Sequence, residues 1–415
     1  MNSTVLEAAA AEGEFRHRGL LLFSAAVGLS VGMTATMFYS LGAFVPHLEA
    51  EFGWSRGQLS LAVTFMTVAL FITGTFAGRL CDRYGAAAIG ALSLASYALA
   101  VVVMTFTVSR IHEFWIFYVV IAVLGVGSTP VVLVRPISAA FDRHRGLALG
   151  IILTGAGLAG FWVPRVVAEV SQVHGWRIAY FVLAGVAMLA APLVWFGFRS
   201  IGVGRSAARH AAAEVGLDIK EARRTSEYYV LSVMALTMAL GIAGIIVHLI
   251  PLFRDLGAEA LVAAKIASLV GLASVIGRLG IGAMLDRFSA PRVSCVVLAF
   301  AAFGIFLLWW RGLAHAYAAV ILLGLAAGAE IDLLAYLTSR YFGQRNYGAI
   351  YGWLYSVFAL GYGFSPFLTG VLRDRFDSYD RALAASAILM SIAAFASAGL
   401  GPYRFGGSTM VRGQR

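Results

Sequence analysis

Apolar runs of about 20 residues recur from one end of this 415-residue chain to the other. A run of that length crosses the hydrocarbon core of a bilayer, about 30 Å thick, as an α-helix rising about 1.5 Å per residue. Lipid offers no partner to a backbone N–H or C=O, so only helices and closed barrels can cross it. None of these runs alternates apolar and polar residues as a barrel strand does. Twelve stretches qualify as spans: about 19–45, 59–80, 86–108, 114–134, 147–168, 178–198, 229–252, 261–285, 291–310, 314–337, 347–372 and 382–401. The expected fold is an all-α membrane protein. With 60% hydrophobic and 13% charged residues, against roughly 45–50% and 25% in soluble proteins, a soluble globule is excluded. Cys81 and Cys295 lie far apart in apolar surroundings, so neither a disulfide framework nor a cysteine-rich metal site is implied.

Basic residues set the orientation. With both termini inside, the inner segments hold nineteen Lys and Arg and the outer segments nine, which satisfies the positive-inside bias. The net charge of +10 therefore reports topology rather than nucleic-acid binding. Glu7, Glu12 and Glu14 precede the first span and no small-residue cleavage site follows it, so it reads as a retained helix rather than a signal peptide. The polar, basic stretch 199–226 is the one long loop. It divides the chain into a tail (1–15), a first six-helix bundle (16–198), a cytoplasmic linker (199–226), a second bundle (227–402) and a tail (403–415), both tails being cytoplasmic.

The two sets of six echo one another. Gly78-Arg79-Leu80-Cys81-Asp82-Arg83, after the second span, returns as Gly282-Ala283-Met284-Leu285-Asp286-Arg287 after the eighth, at an offset of 204 residues. Phe141–Gly150 returns as Phe342–Gly352, and Trp176-Arg177 as Asp380-Arg381, so three echoes fall at offsets of 201 to 204. An internal duplication of this kind is the signature of a transporter built from two repeated halves.

On these residues the chain resembles the major facilitator superfamily over 16–402. The family's loop between the second and third helices reads approximately Gly-x-Leu-x-Asp-Arg-x-Gly-Arg-Lys; Gly78, Leu80, Asp82, Arg83 and Gly85 fit, and Ala86 and Ala87 replace the trailing basic residues. The resemblance implies a latch between halves formed by Gly78, Asp82, Arg83 and Gly85, with Asp286 and Arg287 as the repeat. The alternative is that these are solvated turn charges. It also implies a central cavity between two pseudo-symmetric bundles. Within the superfamily the chain looks most like bacterial monocarboxylate carriers and their oxalate/formate antiporter relatives. The residues are His248-Leu249-Ile250-Pro251, Arg278, Glu330, Asp332 and Arg340-Tyr341-Phe342-Gly343. It departs from the animal carriers, which have an acid four residues before the arginine, where this chain has Ser274, and a lysine in the first helix. It departs from oxalate carriers in lacking a lysine in the eleventh span.

Ionisable side chains inside spans are costly and therefore functional candidates. Arg278 lies eight residues before Asp286, which puts its backbone roughly 12 Å deep at about 1.5 Å per residue. A guanidinium held there can grip a carboxylate through two parallel hydrogen bonds, or it can form a permanent ion pair with Glu330 or Asp332. Ser274 precedes it by one turn on the same face, and Tyr118 is expected across the cavity. Glu330 and Asp332 are two apart and so face about 200° apart on their helix; one of them is expected to carry a proton. His248 is either a proton acceptor or substrate donor at the outer gate, or a packing residue. Arg135 is either a gate residue reaching Asp142 or a substrate ligand. Arg165 is expected to pair with Glu169 at i+4, structurally or in an outer gate. Tyr336, Tyr355 and Phe358 fall in spans that the resemblance places around the cavity. Three embedded arginines against two embedded acids favour an anionic substrate.

No phosphate-binding loop, His-Glu-x-x-His helix or Gly-x-Ser-x-Gly elbow is present, so the expectation is a non-enzymatic carrier without cofactors, driven by a gradient. The sequence reads as a secondary transporter of a small organic, monocarboxylate-like anion, proton-coupled, acting as a monomer in a bacterial inner membrane. The alternatives are an oxalate/formate-type exchanger, a proton-coupled multidrug antiporter and, from another class, a non-transporting receptor.

Overall fold

A computed structural model describes residues 18–141, 145–199, 216–285 and 287–405. The first apolar run forms two helices, α1 (Gly19–Ser30) and α2 (Met33–Phe52), with a bend at Val31 and Gly32 between them. Then follow α3 (Arg56–Tyr84), α4 (Ala86–Thr107) and α5 (Ile111–Gly125); a 3-10 turn, Val126–Ser128, leads into α6 (Pro130–Ala140). Helices α7 (Arg145–His174) and α8 (Trp176–Arg199) complete the first set. After the short α9 (Ile219–Ala222) come α10 (Ser226–Asp255), α11 (Ala260–Leu285) and α12 (Ala290–Arg311). The last are α13 (Ala316–Phe342), α14 (Tyr347–Phe376) and α15 (Asp380–Ala398).

Among the described residues, eleven stretches are long and apolar enough to cross a membrane. The longest, Ala290–Phe342, has 53 residues and holds both α12 and α13, joined by the 3-10 turn Gly312–His315, so the architecture is consistent with twelve crossings. Local chemistry fixes the ends. Ser55 caps α3, its Oγ accepting from Gln58 N at 3.3 Å while Gln58 Oε1 accepts from Ser55 N at 3.0 Å. Gly85 turns the chain from α3 into α4 with φ +84°, a conformation that costs glycine nothing.

Packing divides the chain into two compact units, Met1–Ala207 with Glu259–Leu272, and Ala208–Ala258 with Ala273–Arg415. In the first, α1 packs on α7 and α8, α4 on α8, and α3 on α5. In the second, α10 packs on α14 and α15, and α12 on α13 and α15. The bends of the first unit meet. Tyr97 Oη donates to Val31 O, Ser128 Oγ accepts from Met33 N at 3.0 Å, and Ser93 Oγ accepts from Gly127 N at 3.1 Å. Ser93, Tyr97 and Ser128 are all buried. Side chains thus satisfy backbone groups that a helix break releases, which is the condition for irregular backbone at membrane depth.

Candidate substrate site

In the second unit α11 and α13 cross closely. A Cβ on Gly277 would collide with the Leu325 carbonyl, and one on Gly328 with that of Ser274. Small residues let two helix backbones touch in this way. The crossing fixes what stands beside it: Arg278 follows Gly277, and Asp332 lies one turn beyond Gly328. Arg278 Nη1 reaches Asp332 Oδ2 at 3.2 Å and Oδ1 at 3.3 Å. The Arg278 side chain is 17% exposed and that of Asp332 35%. This pair is therefore neither sealed in packing nor on a fully open surface.

Glu330 behaves differently. It is 2% exposed and its Oε1 has no hydrogen-bond partner. The roughly 200° between the two acids separates a carboxylate that meets the arginine from one turned into the helix packing. Ser274, also buried, contributes its backbone to the crossing with Gly328.

The other expected residues are distributed more widely. Tyr118 is completely buried in the first unit, its ring 4.7 Å from that of Phe114; it belongs to an aromatic core and does not line an open site. Near it, Phe44 stacks on Tyr180 at 3.8 Å and Trp176 meets Tyr180 edge-on at 5.9 Å. His248 is likewise buried, its Nδ1 2.8 Å from Tyr379 Oη and its Nε2 3.0 Å from Pro366 O. A carbonyl only accepts, so Nε2 carries the proton, and both ring nitrogens are engaged. The expected Arg165–Glu169 pair does not form. Arg165 Nε instead donates to Ser268 Oγ at 2.7 Å, within the same compact unit, and its guanidinium lies 4.1 Å from the Phe161 ring centroid. Helix geometry permitted the i+4 contact, but the aromatic face and the hydroxyl hold the guanidinium instead.

In the loop motif, Arg83 lies 5.2 Å from the Tyr84 ring centroid and Arg287 is exposed beyond α11. Asp286 lies outside the described residues, as do the N-terminal tail, the C-terminal tail beyond 405 and most of the linker; Asp82 and Arg135 are described by their backbone alone, and Gly78 lies within α3. Tyr336 donates to Leu285 O at 3.4 Å and accepts from Arg340 Nη2 at 2.8 Å.

Tyr355 and Phe358, expected around the cavity, lie on α14 with three aromatics that the sequence reading did not single out, Tyr347, Tyr351 and Tyr362. Tyr347, Tyr351, Tyr355, Phe358 and Tyr362 form a continuous series of ring contacts, with centroids 5.4, 6.0, 6.2 and 5.6 Å apart. Their spacing of four, four, three and four was visible as one helical face. Tyr355 is 44% exposed and Phe358 is buried. Among the described residues no group of His, Cys, Asp and Glu is arranged to hold a metal ion.

Comparison with known proteins places this architecture. Monocarboxylate transporter 12 of Mus musculus is 26% identical over 276 residues, covering 58% of this chain and 57% of that protein. The MFS-type transporter YhjX of Escherichia coli is 21% identical over 348 residues, covering 80% and 84%. The chain spans about half the length of the first relatives it matches. Two solved structures share the fold. A bacterial homologue of the human lysosomal transporter Spinster, inward-facing and occupied, has a TM-score of 0.72 at 15% identity over 92% of this chain and 96% of that one. A D-xylose-proton symporter has a TM-score of 0.72 at 14% identity over 92% and 98%. Residues 27–355 match the family model of the Major Facilitator Superfamily, and with most of the chain inside that match this integral membrane protein belongs to the major facilitator superfamily of transporters.

Proposed function

We propose that the protein is a secondary active carrier of a small monocarboxylate-like anion, coupled to protons and working by alternating access. The observation that carries this reading is the partly exposed Arg278–Asp332 pair. An anion reaching Arg278 must compete with Asp332 for the same guanidinium. Protonation of Asp332 removes the competitor, and the carboxylate of the substrate takes its place on the fork.

Charge counting makes this a coupling device. The empty site holds Arg⁺ and Asp⁻ and is neutral; the loaded site holds Arg⁺, a protonated Asp332 and the anion, and is neutral again. A site with only a proton or only an anion carries a net charge. Moving such a charge through the membrane potential costs about 2.3 kcal/mol per 100 mV, besides its desolvation. The two neutral states are the ones that cross readily, so anion and proton travel together. Asp332 is assigned the proton because it faces the arginine, and His248, engaged at both nitrogens, is given no part in the relay.

Nineteen basic residues on one side of the membrane against nine on the other support cytoplasmic termini and, in a bacterium, the inner membrane. The bundles 16–198 and 227–402, joined by the linker 199–226, are proposed as the moving halves of a monomer, with Gly78, Asp82, Arg83, Gly85 and their repeat at Arg287 as the latch. The pairing with monocarboxylate transporter 12 over part of the chain supports the substrate class.

The test is uptake of labelled carboxylates into proteoliposomes under separately imposed pH and voltage gradients. Proton symport requires acceleration by an inward proton gradient. Uptake that ignores that gradient but rises when a second anion is loaded inside makes the protein an exchanger.

A further inference from the structure

The aromatic face of α14 runs alongside the ion pair. Tyr347 Oη donates to Ala335 O of α13 at 3.3 Å, just beyond the four-residue turn that reverses the chain. From that contact the two helices run antiparallel. One turn along α14 from Tyr347 is Tyr351, and about one turn back along α13 from Ala335 is Asp332. This register places Tyr351 at the level of Asp332 and of the guanidinium that Asp332 holds. Another turn brings Tyr355 to the level of Gly328, where α13 meets the backbone of Ser274.

The tyrosine face is distinct from the lipid-type face of the same helix. At about 100° per residue, the five aromatics from Tyr347 to Tyr362 fall within about 80° of one another. Trp353, Leu360, Phe364 and Val371, all exposed and apolar, cluster roughly 200° away from the centre of that arc. An ion pair with an exposed flank does not open onto hydrocarbon, so the face that it shares with Tyr351 opens onto polar space. Half-exposed tyrosines suit such a surface: an apolar ring for contact and a hydroxyl for water.

We propose that this track, centred on Tyr351 and Tyr355, receives the ring of an aryl monocarboxylate whose carboxylate is held by Arg278, so that the preferred substrates are aromatic acids rather than short aliphatic ones. The proposal rests on the carboxylate reading given above and narrows it. Aromatic rings stack on one another with offset or edge-on geometry, and the series of rings extends roughly 22 Å along the helix from Tyr347 to Tyr362, at 1.5 Å per residue. A two- or three-carbon acid has no use for such a surface.

The experiment uses the full-length protein in proteoliposomes, with labelled benzoate and labelled acetate measured in parallel. The expected result is a half-saturating concentration about ten-fold lower for benzoate than for acetate in the wild type. Tyr355→Leu and Tyr351→Leu should bring that ratio close to one, and Tyr355→Phe, which keeps the ring, should restore it. Equal half-saturation of the two acids by the wild type, or a ratio that survives both leucine variants, overturns the aryl assignment and leaves the carboxylate reading standing. Absence of uptake of either acid overturns both together.

Discussion

The two units derive from one repeated plan but bury their polarity in different places. In the first, the opening span is broken at Val31 and Gly32 between α1 and α2, and the fourth at Val126–Ser128 between α5 and α6. Their counterparts in the second unit, α10 with 30 residues and α13 with 27, are continuous. The first unit therefore releases backbone groups inside the membrane and satisfies them with Ser93, Tyr97 and Ser128. The second keeps these two spans continuous and holds an ion pair, Arg278–Asp332, and the buried carboxyl of Glu330. Irregular backbone and buried charge are both costly in lipid. The two units thus carry these costs separately, irregular backbone in one and buried charge in the other.

The largest effect that this contrast predicts is at Arg278. Arg278→Ala removes charge-assisted hydrogen bonds worth roughly 3 kcal/mol, so carboxylate uptake should fall about 100-fold. Arg278→Lys keeps the charge but not the fork and should fall between that variant and the wild type. Near-normal uptake by Arg278→Ala would erase the functional difference between the units.

Next comes Asp332→Asn. The amide cannot take up and release a proton and leaves Arg278 without its anionic competitor. Accumulation driven by a pH gradient should be lost, roughly a ten-fold change for one unit of gradient at one proton per cycle, while exchange of internal for external carboxylate continues. The readout is the ratio of gradient-driven uptake to exchange, measured in the same vesicles.

The first unit is tested through its stability rather than its chemistry. Ser128→Ala deprives Met33 N of its acceptor and should cost roughly 1–3 kcal/mol, the penalty of an unsatisfied buried donor. Ser365 in the second unit provides the matched comparison. Its Oγ accepts from Gly244 N at 2.7 Å and donates at 2.6 Å to Leu240 O, the carbonyl four residues earlier in the unbroken α10. Ser365→Ala should destabilise less, because Gly244 N has a helical carbonyl available to it. Equal melting shifts for the two variants would remove the distinction between a broken and an intact span.

How far the sequence revealed this arrangement depended on the range of the interaction. The spans were legible because each must cross lipid alone, and the repeat was legible because the motifs recur at a nearly constant offset. The break at Gly125–Pro130 had a local signal too, a run of glycine, serine and threonine ending in proline, which release and restrain the backbone. Helical geometry said that Glu330 and Asp332 face apart, but not which one meets Arg278, because that is set by the crossing of α11 and α13 at Gly277 and Gly328. Tyr118 and His248 looked available for chemistry because sequence shows residue type and not enclosure. Burial among Phe114 and its neighbours in one case, and the partners Pro366 of α14 and Tyr379 of the turn after it in the other, decided both. The tyrosine track of α14 was periodic in plain view, but lay hidden among 52 aromatic residues, most of which pack or face lipid.

The smallest effect on coupling belongs to Glu330→Gln. Glu330 and Asp332 share a helix and a charge type, yet only Asp332 meets the guanidinium, while Glu330 Oε1 is buried without a partner. If coupling follows contact with Arg278 rather than the mere presence of an acid at mid-span, the amide should alter the response to a pH gradient by less than about two-fold, within what a small packing change does to a barrier. Stability is a separate matter. Glutamine is nearly the same size but brings an NH₂ group, and a buried donor left unsatisfied costs roughly 1–3 kcal/mol, so the variant should melt lower than the wild type while remaining coupled. Measuring melting and gradient response together separates the two roles. A variant that melts normally but loses its pH response would move the proton from the exposed acid beside the arginine to the enclosed one, and the charge-neutral cycle built on Asp332 would have to be abandoned.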